Sequence, residues 1–121
     1  MASYVIRRGW FGWGGFVGRT GVSALPGSSS VVVSYSKALR AGPAFAQFTA
    51  TVDGVARAIT AASVTGSSSN QLSLTFAAPA LVLGQDIVIT YTPGGTPATR
   101  LAYASPVQEF PAGSLDVVVS A

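Results

Sequence analysis

Apolar and polar residues alternate with a period of two along much of the chain, and that period belongs to strands rather than helices. The cleanest case is 71–76, where Leu72, Leu74 and Phe76 share one face and Gln71, Ser73 and Thr75 the other. Successive strand side chains point to opposite faces, so this segment predicts a half-buried strand. Residues 86–92 repeat the pattern with Ile87, Ile89 and Tyr91, and 45–52 divides Ala46, Phe48, Ala50 and Val52 from Phe45, Gln47, Thr49 and Thr51. Residues 31–36 are β-branched and aromatic, a composition suited to a pleated surface, and 114–120 supplies a last strand.

Turn chemistry separates these runs. Asp53-Gly54 is a two-residue hairpin signal, so 55–60 is expected to return alongside 45–52, with 62–65 continuing past a bulge. Pro79 stops the strand at 71–76, Gly84-Gln85 reverses the chain, and Pro93-Gly94-Gly95-Thr96-Pro97 predicts an exposed loop. Residues 100–103 and 108–110 fit strand or loop, and 36–41 is the one segment that fits a helical turn. About seven short strands with turns between them predict an all-β chain, folded as a sandwich over 31–121.

Residues 1–30 break this pattern. Ser3-Tyr4-Val5-Ile6-Arg7 alternates and suits addition to a neighbouring sheet edge. Gly9 to Arg19 then sets four aromatic side chains among five glycines, a composition that supports neither a stable helix nor a long strand. Pro26-Gly27 and the three serines after it read as linker and turn. The expected organisation is an extended docking arm over 1–30 followed by the sandwich.

Four blocks point to a family: Val33-Ser34-Tyr35-Ser36-Lys37-Ala38-Leu39, Phe48-Thr49-Ala50-Thr51-Val52-Asp53-Gly54, Gln71-Leu72-Ser73-Leu74-Thr75-Phe76, and Gly84-Gln85-Asp86-Ile87-Val88-Ile89-Thr90-Tyr91-Thr92-Pro93. Their order and spacing resemble the SwmB-type bacterial immunoglobulin-like repeat over about residues 31–120. The resemblance implies a single immunoglobulin-like β-sandwich. Family members usually continue with an acidic stretch after the Thr-Tyr-Thr strand, where this chain has Gly94 to Leu101. Calcium needs several oxygen ligands, mostly carboxylates, and four scattered acids do not predict a calcium site.

Composition narrows the chemistry. The 121 residues suit one domain. Only 9% are charged, against roughly 25% in an average soluble domain, and so poorly charged a surface favours contact with other protein. No apolar run approaches the roughly 20 residues of a membrane helix. Arg7-Arg8 ahead of Trp10-Phe11 mimics a twin-arginine export signal, but glycines and Arg19 interrupt the apolar run that such a signal needs, and no export signal is expected. Cysteine and histidine are both absent, which removes disulfides, thiolate metal sites and His-based acid–base chemistry. No catalytic residue, cofactor or metal is expected, and the chain does not read as an enzyme. Lys37 is expected to solvate a turn, and Glu109 and Asp116 read as partners for Arg100 rather than as a glycosidase pair.

The net charge of +3 lies in the arm, because Lys37, Arg40, Arg57 and Arg100 are matched by Asp53, Asp86, Glu109 and Asp116. Tyr4, Arg7, Arg8, Trp10, Phe11, Trp13, Phe16 and Arg19 are therefore the candidate docking residues. Large aromatics and Arg anchor interfaces, so they either dock on another subunit or cap the open end of their own sandwich. Three arginines are few for a single-stranded nucleic acid, which is not expected as a partner. Neither is a membrane.

The function expected is that of a structural virion protein of a tailed phage. The favoured form is a capsid decoration (cement) protein, homo-oligomeric and preferably trimeric, gripping the major capsid or another virion protein through its arm. One alternative is a tail, fibre or head-spike component with a glycan-binding domain, for which Tyr103 and Phe110 are the loop aromatics. Another is a bacterial surface or filament adhesion module.

Overall fold

Alternation becomes burial on three strands: β2 (Ser30–Tyr35), β6 (Gln71–Phe76) and β7 (Asp86–Tyr91) each bury every second side chain. They belong to a computed structural model that describes residues 19–66, 68–104 and 107–120. The other strands are β1 (Arg19–Ala24), β3 (Phe48–Val52), β4 (Val55–Arg57), β5 (Ile59–Thr65), β8 (Ala102–Ala104), β9 (Val107–Glu109) and β10 (Gly113–Val118). One antiparallel sheet runs β1-β2-β6-β5, a second runs β10-β7-β3-β4, and β8 and β9 form a small hairpin. The chain is all-β, as its sequence predicts.

Both four-stranded sheets send their buried faces into one core. Val31, Val33, Leu72 and Leu74 enter it from the first sheet, and Ile87, Ile89, Leu115 and Val117 from the second. Each apolar side chain of this size contributes about 1.5–3 kcal/mol when taken out of water.

Four local readings change. The first sheet starts at Arg19, inside the segment expected to be arm. There Val22 and Ala24 turn inward, paired with Val33 and Val31, and Pro26-Gly27 is a tight turn between β1 and β2 rather than a linker. Residues 55–60 do not form one strand, since β4 pairs with β3 but β5 pairs with β6 in the other sheet. The crossing is fixed at Ala58, whose carbonyl accepts from Ala77 N, while the Arg57 guanidinium donates to Ala77 O and Pro79 O (2.9 Å to the latter). Residues 36–41 make no helical turn. Leu39 instead bridges to Tyr103, and Arg40 N donates to Ala102 O. The short helical turns are of the 3-10 type, at Phe45–Gln47 and Pro97–Thr99. The two segments that fitted strand or loop contribute to β8 and β9. Those two and β4 have three residues each, which raises the strand count among the described residues above the expected seven or so.

The Asp53-Gly54 turn forms as expected. Both residues have positive φ (52° and 81°), the geometry of a two-residue turn whose twist matches a hairpin, and Val52 pairs with Val55 across it. Asp53 also ties the turn to the start of β7, because its Oδ1 accepts from Asp86 N and its N–H donates to Asp86 O, both at 2.8 Å. A β-branched residue is strained at positive φ even though open space surrounds Gly54. Gly54→Val is therefore expected to lower stability by about 1–2 kcal/mol, read as a lower urea midpoint at unchanged slope.

Candidate functional site

Of the eight candidate docking residues, the structure describes one. Tyr4, Arg7, Arg8, Trp10, Phe11, Trp13 and Phe16 lie outside the described residues. Arg19 opens β1, half-buried and paired in register with Tyr35, the last residue of β2. The first described residue therefore opens a sheet strand, at the end of the molecule that carries Tyr35.

That end is built on three aromatic rings. Tyr35 is buried and stacks on Phe110, with centroids 5.5 Å apart and planes 15° apart. Tyr103 meets both edge-on, 6.3 Å from Tyr35 and 4.8 Å from Phe110. Edge-to-face and offset-stacked pairs are the favoured aromatic geometries. The β8–β9 hairpin delivers Tyr103, and the Lys37 ammonium sits 5.5 Å from its ring centroid, a cation–π contact rather than a purely solvated turn. Tyr103 and Phe110 are only 8% and 7% exposed, so neither presents the stacking face that a glycan site on these loops requires. Burial pushes the Tyr35 hydroxyl pKa up, with Tyr103 adding to the shift and the Arg19 charge opposing it.

Beside the rings, the loop from Thr92 to Leu101 is held at its base by four side chains. Gln47, the one buried polar side chain among the described residues, has both ends of its amide satisfied. Its Nε2 donates to Thr99 O (2.6 Å) and Ala44 O (3.1 Å), and its Oε1 accepts from Gly94 N (2.9 Å). The Arg40 guanidinium donates to Pro97 O (2.6 Å) and Arg100 O (2.8 Å). Arg100 donates through Nε to Gly94 O (2.7 Å) and forms an ion pair with Glu109 at 3.3 Å. The Tyr91 hydroxyl accepts from Leu101 N at 3.0 Å. Burial raises the pKa of that hydroxyl, while the Leu101 hydrogen bond opposes the shift. The tip of the loop, Gly95, Thr96, Pro97 and Ala98, lies in solvent.

Gln47 and Arg40 were not among the sequence candidates. Gln47 falls on the polar half of an alternating run and Arg40 in a segment that fitted a helical turn, so nothing local marks either one. Glu109 pairs with Arg100, as one of the two acids was expected to. Among the described residues no group of three or more acids, histidines or cysteines converges as a metal site, and no helix is long and apolar enough to cross a membrane.

A second feature lies on the flank of the molecule. A groove of about 390 Å³ opens between β3 and the β4–β5 crossing, lined mainly by Phe45, Phe48, Ala50, Ala56, Arg57 and Ile59. Phe45 is 48% exposed at its rim.

Removing the Gln47 amide leaves the Gly94 N–H without its acceptor. Gln47→Leu is expected to lower stability by about 1–3 kcal/mol and to speed hydrogen exchange at Gly94, measured by NMR. The tyrosines give a pH test. Their folded-state pKa values lie above the unfolded value of about 10, so their contribution is fully present below pH 10 and is lost as pH rises beyond it. Tyr35 and Tyr91 are accordingly expected to ionise, by ultraviolet absorbance, in the same step in which the strand circular dichroism signal is lost.

Comparison of the chain with protein-family models, with curated proteins and with solved structures gave no match.

Proposed function

We propose that the chain is an immunoglobulin-like β-sandwich acting as a structural subunit of a virion. Its specific role is that of a capsid decoration protein of a tailed phage, homo-oligomeric and preferably trimeric, gripping the major capsid or another virion protein through its N-terminal residues. Strand order supports the fold. Lettered along the chain, β1, β2, β6 and β5 fall in the order A-B-E-D, and β10, β7, β3 and β4 in the order G-F-C-C′. This order agrees with the two sheets expected of an immunoglobulin-type sandwich, the β8–β9 hairpin then being an insertion before the last strand, and it supports that reading. The four sequence blocks that resemble the SwmB-type repeat lie on or beside these strands. The step from fold to virion is one of analogy, since this architecture serves many functions.

The observation that carries the role is the junction at Arg19. Arg7, Arg8 and Arg19 hold the whole net charge, and Arg19 opens β1, which pairs with β2 from Arg19 to Ala24 with one register shift between Arg19 and Gly21. A contact made by the N-terminal segment would load β1, whose pairing with β2 ties it to the core. The glycan-binding tail or fibre alternative has no comparable support, because its two loop aromatics are buried.

The test is the composition of the native particle together with the behaviour of the full chain bearing Trp10→Ala and Trp13→Ala. Decoration requires many copies arranged on the shell lattice and virion-associated chain. Loss of two interface anchors is expected to weaken co-sedimentation with undecorated shells by roughly 30-fold or more, the factor that corresponds to about 2 kcal/mol. A few copies at one end of the particle, or undiminished binding by the double variant, overturns the proposal. A deletion used for the same purpose should stop at Gly18, because cutting further removes β1.

A further inference from the structure

The two sheets meet differently along their two sides. On one side β1 and β10 close the seam, with Ser120 N donating to Ala24 O (3.0 Å) and both Val22 and Ala24 buried. On the other side β5 lies near the 3-10 turn Phe45–Gln47 and β3, but no strand pairing joins the two sheets there among the described residues. There β4 covers only Ala50, Thr51 and Val52 of β3, so Phe48 and Thr49 have no strand outside them. Pairing of β5 is confined to β6, and its inward Ala62 and Val64 remain half-buried, whereas the inward residues of β2 and β6 are almost wholly buried. The apolar groove opens in this gap.

The edge strand itself is Ile59-Thr60-Ala61-Ala62-Ser63-Val64-Thr65, seven residues without a charge or a proline. Edge strands are normally guarded by Lys, Pro, short length or a bulge, and only a register shift between Ile59 and Ala61 serves here. An edge of this kind is a template for one more strand.

The chain has a segment of matching pattern. In residues 3–7, Tyr4 and Ile6 alternate with Ser3, Val5 and Arg7, so that as a strand it would lay two large apolar side chains on one face. Reach is ample. Arg7 and Arg19 are twelve residues apart, which spans up to about 40 Å when extended. The outer strands β1 and β5 of one sheet are separated by three interstrand spacings, or about 14 Å.

We propose that residues 3–7 add as a strand to the free edge of β5 in the same chain, laying Tyr4 and Ile6 over the groove and turning Ser3, Val5 and Arg7 outward. Main-chain hydrogen bonds satisfy the edge, and the small residues Ala50, Ala56 and Ala58 leave room for a ring above them. Donation within one chain is favoured over donation by a second copy, because it avoids the loss of translational and rotational freedom on association. One consequence rests on the decoration reading: residues 8–18 become a loop held at both ends, and that loop is the part presented to the shell.

The experiment is hydrogen exchange by NMR on the free full-length chain, with no particles present. Amides of residues 3–7 and the outward amides of β5 are expected to be protected, to the same degree at every protein concentration. Tyr4→Pro and Val5→Pro are made in turn, because alternate N–H groups face the partner strand and one of the two must remove a bonded donor. That variant is expected to speed exchange along β5 by about tenfold or more, while β2 and β7 keep their protection and report an intact core. Residues 3–7 exchanging at unstructured rates, or β5 unmoved by either proline, overturns the inference. Protection that grows with concentration gives the strand to a second copy and overturns it equally. Shell binding is measured separately, so failure of the decoration reading leaves the exchange result standing.

Discussion

The whole arrangement depends on the inward halves of β2, β6 and β7 meeting in one core. Tyr35, Leu72, Leu74, Ile87, Ile89 and Tyr91 are essentially removed from solvent, and they come from alternate positions of three strands in two sheets. Because the period is two, slipping any of these strands by one residue would send its whole apolar set into water. Register is therefore fixed by the core, and the turns must conform to it. Asp53 and Gly54 adopt positive φ, and Gly84 does so before β7, because strand lengths set by burial leave no room for wider reversals. The inward faces are committed to the core, which leaves the outer faces, ends and edges of the sheets open to other contacts.

The few charges of the body are spent on structure. Arg40, Arg57 and Arg100 all donate to backbone carbonyls of irregular segments, and Lys37 lies over Tyr103. Planar guanidinium groups suit this task because one side chain can hold two carbonyls at once. Both irregular segments at stake would otherwise be the loosest parts of the molecule: the loop after β7 and the crossing from β4 to β5. Holding them by Arg and Gln side chains rather than by apolar packing leaves their backbone polar groups satisfied at the edge of the core, where an unpaired carbonyl or N–H is expensive.

Strands whose alternation is strong were legible from sequence, because the same pattern that marks them also buries them; β6, β7 and the Asp53-Gly54 hairpin are of this kind. Strand β1 was not, since its inward residues are only Val22 and the small Ala24, beside a glycine-rich stretch. The split between β4 and β5 was hidden for a different reason. Residues 55–65 read as one β-type stretch, and what divides it is a set of hydrogen bonds to Ala77 and Pro79, some twenty residues further on. The same holds at the end where β1 begins. Tyr35, Tyr103 and Phe110 are each visible as aromatics, but their stacking depends on a hairpin that local pattern left undecided, and Gln47 looked like any other solvent-facing residue.

The asymmetry of the two seams bears on how strongly an N-terminal segment can hold a partner. Ordering a free chain costs roughly 1–2 kcal/mol per residue in backbone entropy, so eighteen residues that became ordered only on docking would consume much of what a few aromatic anchors contribute. A segment joined to β1, and held again on β5 under the arrangement proposed above, would have lost most of that freedom before it met a partner. The same aromatic contacts then yield tighter binding, because the ordering is offset by sheet hydrogen bonds and by covering of the groove within the subunit itself. Under that proposal the open edge of β5 and residues 3–7 act together, and completing the sheet would restrain residues 8–18 ahead of any partner they meet.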